Sequence, residues 1–195
     1  MKKLLMAVVL LTIAATGFAK KNYVSVISGD IAVLNQSGKT ATEEFDYSKT
    51  FIEGQPAMEY LKSHGGDYLK DWPNDNVVTE GYFVDAWNDA VNKKGMKLVK
   101  DSKADYRVLV HVDSLDLGNT AAAMFSFSKT GGGCIVYAKI DVIDNANGNV
   151  VCKLLVNNLK GNAAKFFDTG SNENRRRGLA YDKMAKQIIE LAKGK

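Results

Sequence analysis

The sequence has no excess of either charge and, beyond its first residues, no long apolar run. Lysine and arginine number 26 against 22 aspartates and glutamates, a net charge of +4 that moves closer to balance without Lys2 and Lys3. An extended basic surface for nucleic acid is therefore not expected. No stretch after residue 19 approaches the roughly 20 apolar residues of a membrane helix, so no membrane-spanning segment is expected there.

Cysteine is scarce, with only Cys134 and Cys152 in the chain. Neither lies near the N-terminus, so we expect no lipid attachment at a new N-terminal cysteine. The predicted final hairpin places Cys152 near Ile140, which is roughly 20 Å along the strand from Cys134 at about 3.3 Å per residue. A disulfide needs Cα atoms within about 7 Å of each other. We therefore predict two buried free thiols.

The first residues have the form of a secretory signal peptide. Two lysines precede an apolar stretch over residues 4–15. The small residues Gly17 and Ala19 then occupy the third and first positions before the predicted cleavage site, as signal peptidase requires. The apolar stretch is short for a membrane span. We predict cleavage after Ala19 and export of residues 20–195 as a single domain, to the periplasm or out of the cell.

Hydrophobic periodicity predicts both strands and helices. Alternation of apolar and polar residues predicts strands over residues 23–34, 40–47, 106–117, 134–144 and 149–159. Helical patterns run from Pro56 to a stop at Trp72-Pro73, from Thr79 to Gly95, and over about residues 174–192. Because hairpins dominate this order, the predicted fold class is α+β, with a mainly antiparallel sheet of about five strands and helices on one face.

The segment SGKT, residues 37–40, could end a phosphate-binding loop. Such a loop needs a glycine five residues before Gly38, where Val33 stands, and a helix directly after Thr40. The residues that follow have the period of a strand instead. We therefore predict that residues 35–39 are a short loop between two antiparallel strands.

His111 and Asp113 share one face of a predicted strand and could both reach one metal ion. The only other histidine, His64, has no predictable direction, and two ligands do not complete a site, so no metal or other cofactor is predicted. No serine lies in a Gly-x-Ser-x-Gly turn. We expect a protein without catalysis, and hydrolysis that depends on His111 or Asp113 is an alternative hypothesis.

Three arginines, Arg175, Arg176 and Arg177, stand in the first turn of the last predicted helix. On a helical projection Arg177 falls on the apolar stripe, whereas Arg175 and Arg176 point away from it. A guanidinium at the head of the stripe could clamp a carboxylate or phosphate. Alternatively, the stem of Arg177 lies along the edge of the core and its charged end reaches water. These arginines are one candidate binding site.

A second candidate lies in the irregular stretch of residues 118–133, which contains Met124, Phe125 and Phe127. Apolar residues in a long loop flanked by glycine either tuck under the sheet or meet a partner. The alternation over these residues also permits a short edge strand that adds to another chain. Both possibilities stay open at this stage.

The second half of the chain resembles a known layout. The segments that carry this resemblance are DYRVLVHVDSLDLG, GGGCIVYAKIDVIDNANGNVVCK and RRRGLAYDKMAKQIIELAK. In this order they are similar to small exported bacterial envelope domains and, more distantly, to the periplasmic domain of curli-secretion channels and the amino-terminal domain of Tol-Pal proteins. The resemblance covers about residues 104–193, transfers no functional residue, and lacks the lipid-anchor cysteine and pore segment of a secretion channel.

This resemblance implies an α+β envelope domain without catalytic chemistry, used for assembly or protein contact. We therefore expect an exported, non-enzymatic protein that binds a protein or an envelope component, with unknown oligomeric state. The alternative is a module that binds a small anionic ligand through Arg177.

Overall fold

The structure is a computed structural model, and it describes residues 22–92, 94–118, 133–162 and 173–194. The predicted signal peptide and the candidate residues Met124, Phe125 and Phe127 lie outside these ranges. Among the described residues, no helix has the length and apolar character needed to cross a membrane.

The described part of the chain forms an α+β fold, as predicted. Its strands are β1 (Val24–Gly29), β2 (Thr40–Asp46), β3 (Phe51–Ile52), β4 (Gln55–Pro56), β5 (Lys97–Leu98), β6 (Tyr106–Asp116), β7 (Ile135–Asp144) and β8 (Val150–Lys160). Its helices are α1 (Ala57–Ser63), α2 (Gly66–Val91) and α3 (Glu173–Ala192), and a 3-10 turn spans Ile31–Asn35.

The strands form one mixed sheet in the order β1-β8-β7-β6-β2-β5, and β3 pairs with both β4 and β6. The pairs β1–β8, β8–β7 and β7–β6 are antiparallel. In contrast, β2 runs parallel to β6 and β5, and β3 runs parallel to β6. The predicted sheet of about five mainly antiparallel strands is therefore wrong in strand number and in the direction of β2. The additional strands β3, β4 and β5 have 2 residues each, too few to leave a periodic pattern.

The first two strands do not pair with each other, so the predicted hairpin through residues 35–39 is wrong. β1 pairs with β8 instead, from Val24 opposite Val156 to Gly29 opposite Cys152. Thr40 begins β2 rather than a helix, which confirms that SGKT is not a phosphate-binding loop. Since β1 pairs with β8 and β2 pairs with β6, the two strands lie on opposite sides of the β6–β8 meander.

α2 continues through Pro73 and Thr79, where the sequence predicted a stop and a new start. An interior proline costs about 3 kcal/mol because it lacks an N–H group and crowds the preceding turn. The inner face of α2 offsets this cost, since Phe83 and Trp87 are fully buried in the core. Thr79 is not a cap, because its hydroxyl donates to the carbonyl of Asn76 inside the same helix at 3.0 Å.

The helices cover one face of the sheet, as predicted. Buried side chains alternate along the central strands and meet the apolar stripe of α3; they include Val108, Val110 and Val112 of β6, Val136, Ala138 and Ile140 of β7, Cys152, Leu154 and Val156 of β8, and Tyr181, Met184 and Ile188 of α3. The opposite face carries cross-strand ion pairs such as Arg107 with Glu44 at 3.1 Å. A polar face of this kind needs no covering layer.

Cys134 and Cys152 are free and buried, which confirms the prediction. The hairpin register differs from the predicted one, because Cys152 lies opposite Val142 rather than Ile140, the next residue on the same face of β7. Burial raises the pKa of the Cys134 thiol to about 12 and that of Cys152 to about 11. Neither is a thiolate at neutral pH, so neither is an activated nucleophile.

Candidate functional site

Two cavities flank α1 at one end of the sheet. β2, β3 and β6 run in the same direction, and their carboxyl ends meet at this end. The connections that leave these strands, together with α1, the first half of α2 and the first turn of α3, form the cavity walls. Ligands of open sheets with parallel strands bind outside the carboxyl ends of those strands. This end of the molecule is therefore the candidate functional site.

The first cavity is an apolar groove of about 590 Å³, lined by residues 47–51, Pro56, Ala57, Met58, Leu61 and Trp72. Leu61 is buried, whereas Phe51 is 48% and Met58 55% exposed. Two large apolar side chains thus stand in solvent beside a concave apolar surface. Ser48, Lys49 and Thr50 also line it, and the Thr50 hydroxyl donates to the Val112 carbonyl at 2.6 Å.

The second cavity has a polar lining and a volume of about 540 Å³; α1 contributes Tyr60 to it, whereas Ala57, Met58 and Leu61 line the groove. We call it the polar cavity; its lining includes Glu53, Asp116, Glu173, Tyr60, His64, Tyr68 and Arg176. The His64 ring lies 4.1 Å from the Tyr60 ring and 5.4 Å from the Tyr68 ring, between centroids. The Tyr68 hydroxyl donates to the Glu173 carboxylate. Burial raises the pKa of Glu173, and the Arg177 and Arg176 charges oppose that rise.

Arg177 lies on the apolar stripe of α3, as predicted, but it does not reach water. Its side chain is 0% exposed. Its guanidinium lies 4.2 Å from the Trp72 ring centroid, Nη1 donates to Asn76 Oδ1 at 2.9 Å, and Nη2 donates to Asn174 Oδ1 at 3.3 Å. Among the described residues, no acceptor lies within hydrogen-bond distance of its Nε. Arg177 is a buried cation held by neutral partners.

The groups around Arg177 are polar and tightly packed. The Tyr47 hydroxyl lies 3.2 Å from the Tyr181 hydroxyl, and burial raises the pKa of both phenols. Burial also raises the pKa of Glu80, and the hydrogen bond from the Tyr47 hydroxyl and the charge of Arg177 partly oppose this rise. The predicted anion clamp at Arg177 stays a prediction. Since the guanidinium is fully buried, an anionic ligand would need a rearrangement of its neighbours to reach it.

Arg176 differs from its predicted position. The helical projection placed it away from the core, but its side chain is 3% exposed. Its Nε donates to the Leu117 carbonyl at 2.8 Å, and Nη2 donates to the Gly118 carbonyl at 3.4 Å. Leu117 and Gly118, which follow β6, thus cover a face of α3 that the helical projection predicted to face solvent. Arg175 is partly exposed, in agreement with its predicted direction.

His111 and Asp113 do not come together at one site. A bulge between Val112 and Ser114 interrupts the pairing of β6 at Asp113. His111 Nδ1 lies 3.0 Å from Asp46 Oδ2, whereas Asp113 pairs with Lys139 at 3.1 Å. Within the ranges that the structure describes, no three His, Cys, Asp or Glu residues are grouped to hold a metal ion. Hydrolysis through His111 or Asp113 stays a hypothesis.

The pairing at His111 predicts a pH effect on stability. Hydrogen bonds from Ser48, and secondarily the contact with His111, lower the pKa of Asp46 to about 2. Because the folded pKa lies below the ordinary value, the charged form contributes stability above about pH 4, and the contribution is lost as pH falls through about 2. Asp46→Asn is expected to cost about 1 kcal/mol or less at pH 7, since the side chain is partly exposed. Urea denaturation of both proteins from pH 7 to 2 measures the difference.

The gap between wild type and Asp46→Asn should close between about pH 4 and 2. His111→Ala should retain most of this pH dependence, because the Ser48 contacts are its larger cause. A gap of constant size over the whole range would contradict the role of the Asp46 charge.

Sequence reasoning missed both cavities. Tyr68 and Trp72 stand one helical turn apart on α2, and a continuous helix through Pro73 would have placed them on one face. Glu53 left no signal, because it follows a strand of only 2 residues.

No protein-family model matches the chain, and no curated protein matches its sequence. Among solved structures, a dodecamer of PelC from Paraburkholderia phytofirmans is similar at a TM-score of 0.41 and 13% identity, over 85% of this chain and 95% of that one. Protein XCC0632 from Xanthomonas campestris, assigned to DUF330, gives a TM-score of 0.36 and 9% identity over 84% and 87%. A candidate lipoprotein from Caulobacter crescentus gives 0.29 and 15% over 60% and 85%.

These likenesses are distant. Each TM-score lies below 0.5, so the likenesses assign neither a family nor a function to this chain. The three proteins are bacterial, and none of them is a curli-secretion channel or a Tol-Pal protein. The more distant part of the resemblance that the sequence suggested thus finds no counterpart among them.

Proposed function

We propose that the protein is an exported, non-enzymatic binding protein of the bacterial cell envelope, which holds an apolar segment of a partner protein in the apolar groove. The observation that carries this proposal is the exposure of Phe51 and Met58 beside the groove. Burying a large apolar side chain contributes about 1.5–3 kcal/mol. A partner that buries the exposed parts of both side chains would gain part of this free energy on binding.

The lining favours a protein as the occupant. Protein interfaces have an apolar centre enriched in aromatic residues and methionine, and a polar rim. The groove lining includes Phe51, Met58 and Trp72 together with Ser48 and Lys49. Its volume of about 590 Å³ is enough for a few side chains of an inserted segment. The contact surface predicted at Met124, Phe125 and Phe127 lies outside the described residues and stays a prediction.

Replacing the two exposed side chains tests the proposal. The double change Phe51→Ser and Met58→Ser is expected to alter the free energy of unfolding by about 1 kcal/mol or less, because both positions are half-exposed. Loss of two anchor side chains is expected to weaken a protein contact at least tenfold. A photocrosslinking amino acid at Gln55, which is exposed beside the groove, would report contact in the producing cells.

A matched control exists on α2. Val77 and Val78 are 66% and 59% exposed and do not line the groove. The change of both to serine should leave the crosslinked partner unchanged, whereas the Phe51 and Met58 changes should remove it. A partner band that survives in both backgrounds, or adducts with lipid alone, would overturn the proposal.

A further inference from the structure

We infer that the apolar groove binds a proline-rich segment of the partner protein in the extended polyproline II conformation. This inference rests on the proposed function, because it concerns the same groove and names the chemistry of its occupant. Peptides bind protein surfaces as added β-strands, as amphipathic helices in grooves or as polyproline II helices. The strands and the polar groups around the groove distinguish among these three occupants.

The two strands that contribute to the groove offer little for strand addition. β3, which contributes Phe51, pairs with β4 on one side and with β6 on the other. β4 has only 2 residues, and one of them, Pro56, has no main-chain N–H. An added strand is therefore not the expected occupant.

The groove lining presents hydrogen-bond donors that lack a partner. The Lys49 ammonium and the Trp72 indole N–H are donor groups only, and neither has a hydrogen-bond partner in the described part of the chain. The indole nitrogen reaches solvent, since each buried side-chain nitrogen without a partner there belongs to an arginine. The described residues that line the groove include no carboxylate and no side-chain amide. An occupant that supplies acceptors is therefore favoured.

This set of donors favours a polyproline II segment over a helix. A helix uses its main-chain carbonyls in its own hydrogen bonds, so only its side chains could accept from Lys49 and Trp72. A polyproline II segment makes no internal hydrogen bonds and leaves its carbonyls free. Because proline has no main-chain N–H, a proline-rich segment supplies acceptors and needs few acceptors from the groove.

The apolar surface of the groove suits proline rings. Proline-rich segments dock in grooves lined by aromatic residues, and Tyr47, Phe51 and Trp72 line this one together with Met58. The Trp72 ring centroid lies 5.8 Å from that of Tyr47 and 4.2 Å from the guanidinium carbon of Arg177. These contacts hold the ring in place. A fixed ring and a stiff segment lose little conformational entropy on binding.

Calorimetric titration of the purified protein with two matched peptides tests the inference. The first peptide is acetyl-Pro-Pro-Leu-Pro-Pro-Leu-Pro-Pro-amide, and in the second every proline is replaced by alanine. The proline peptide is expected to bind about tenfold more tightly or better, because the polyproline II conformation is already formed in it.

Variants of the two donors test how the segment is held. Trp72→Phe keeps an aromatic ring but removes the N–H, and it is expected to weaken binding of the proline peptide about two- to tenfold, the effect of one hydrogen bond. Lys49→Met removes the ammonium and should have an effect of similar size. Lys62→Met, a change of an exposed lysine of α1 outside the groove, should change the affinity less than about twofold. Thermal unfolding of each variant shows whether it is folded.

Three results would overturn the inference. The first is no binding of the proline peptide at millimolar concentration, and the second is equal binding of the alanine peptide. The third is undiminished binding to the folded variant Phe51→Ser with Met58→Ser, which would place the peptide outside the groove.

The photocrosslinker at Gln55 separates this inference from the proposed function. Mass spectrometry of the crosslinked product identifies the segment of the partner that occupies the groove. A partner captured through a segment without proline would support the proposed function and overturn the inference. Conversely, binding of the proline peptide without any captured partner would support the inference and contradict the proposed function in the producing cells.

Discussion

Replacement of Gly29 by alanine is expected to destabilise the protein by about 3–5 kcal/mol. Gly29 ends β1 with a φ angle of +81°, a region where a side chain costs about 1–2 kcal/mol. An added Cβ would also lie 2.1 Å from the Val151 carbonyl oxygen and 2.8 Å from the Cys152 Cα atom. Both are main-chain atoms of β8, so the strands must separate, which adds the cost of overpacking. Urea denaturation at pH 7 measures the loss.

Gly38 provides the control, because its φ angle of +82° is nearly the same and no atom of the described residues lies within 4 Å of its added Cβ. Gly38→Ala should therefore cost only the backbone term of about 1–2 kcal/mol. The difference between the two variants isolates the close approach of β1 to β8. Equal losses would show that backbone conformation alone requires Gly29.

Replacement of Arg177 by alanine is expected to cost about 3–5 kcal/mol as well. Truncation of a large, fully buried side chain opens a cavity among aromatic rings, which costs a few kcal/mol. It also leaves the Asn76 amide oxygen buried without its donor, a penalty of about 1–3 kcal/mol. The contact with the face of Trp72 is lost at the same time. The free energy of unfolding of the variant gives the sum.

Two further changes identify the cause of that loss. Arg177→Met keeps most of the volume and removes a buried charge that has no carboxylate ion pair among the described residues, so it should cost clearly less than alanine. Arg107→Ala removes a partly exposed arginine paired with Glu44 and should cost less than about 1 kcal/mol. If methionine cost as much as alanine, the hydrogen bonds rather than the packing would explain the role of Arg177.

Part of the candidate site was visible in the sequence. The stripe of α3 placed Arg177 correctly on the buried face, because Tyr181, Met184 and Ile188 repeat at the helical period. It did not place Arg176, whose burial depends on Leu117 and Gly118 at the end of β6. A helical projection describes one helix, whereas burial also depends on the neighbour that arrives from elsewhere in the chain.

The cavities depend even more on contacts between distant segments of the chain. The polar cavity combines Glu53 with Asp116 and Glu173, which lie far apart in the chain. Their meeting depends on the parallel pairing of β3 with β6, and β3 has only 2 residues. No local pattern predicts such a pairing, because it is made by main-chain groups that every residue shares.

The sequence by itself determined the α+β class, the one-sided burial of β6 to β8, the last helix and the two free thiols. The first three follow from local periodicity, because it shows which face of each element is buried; the free thiols follow from the separation of the two cysteines along the predicted hairpin. Only the tertiary structure decided the pairing of β1 with β8, the parallel direction of β2 and the passage of α2 through Pro73. These depend on contacts between distant segments, such as Val24 with Val156, whose combined packing outweighs local preference.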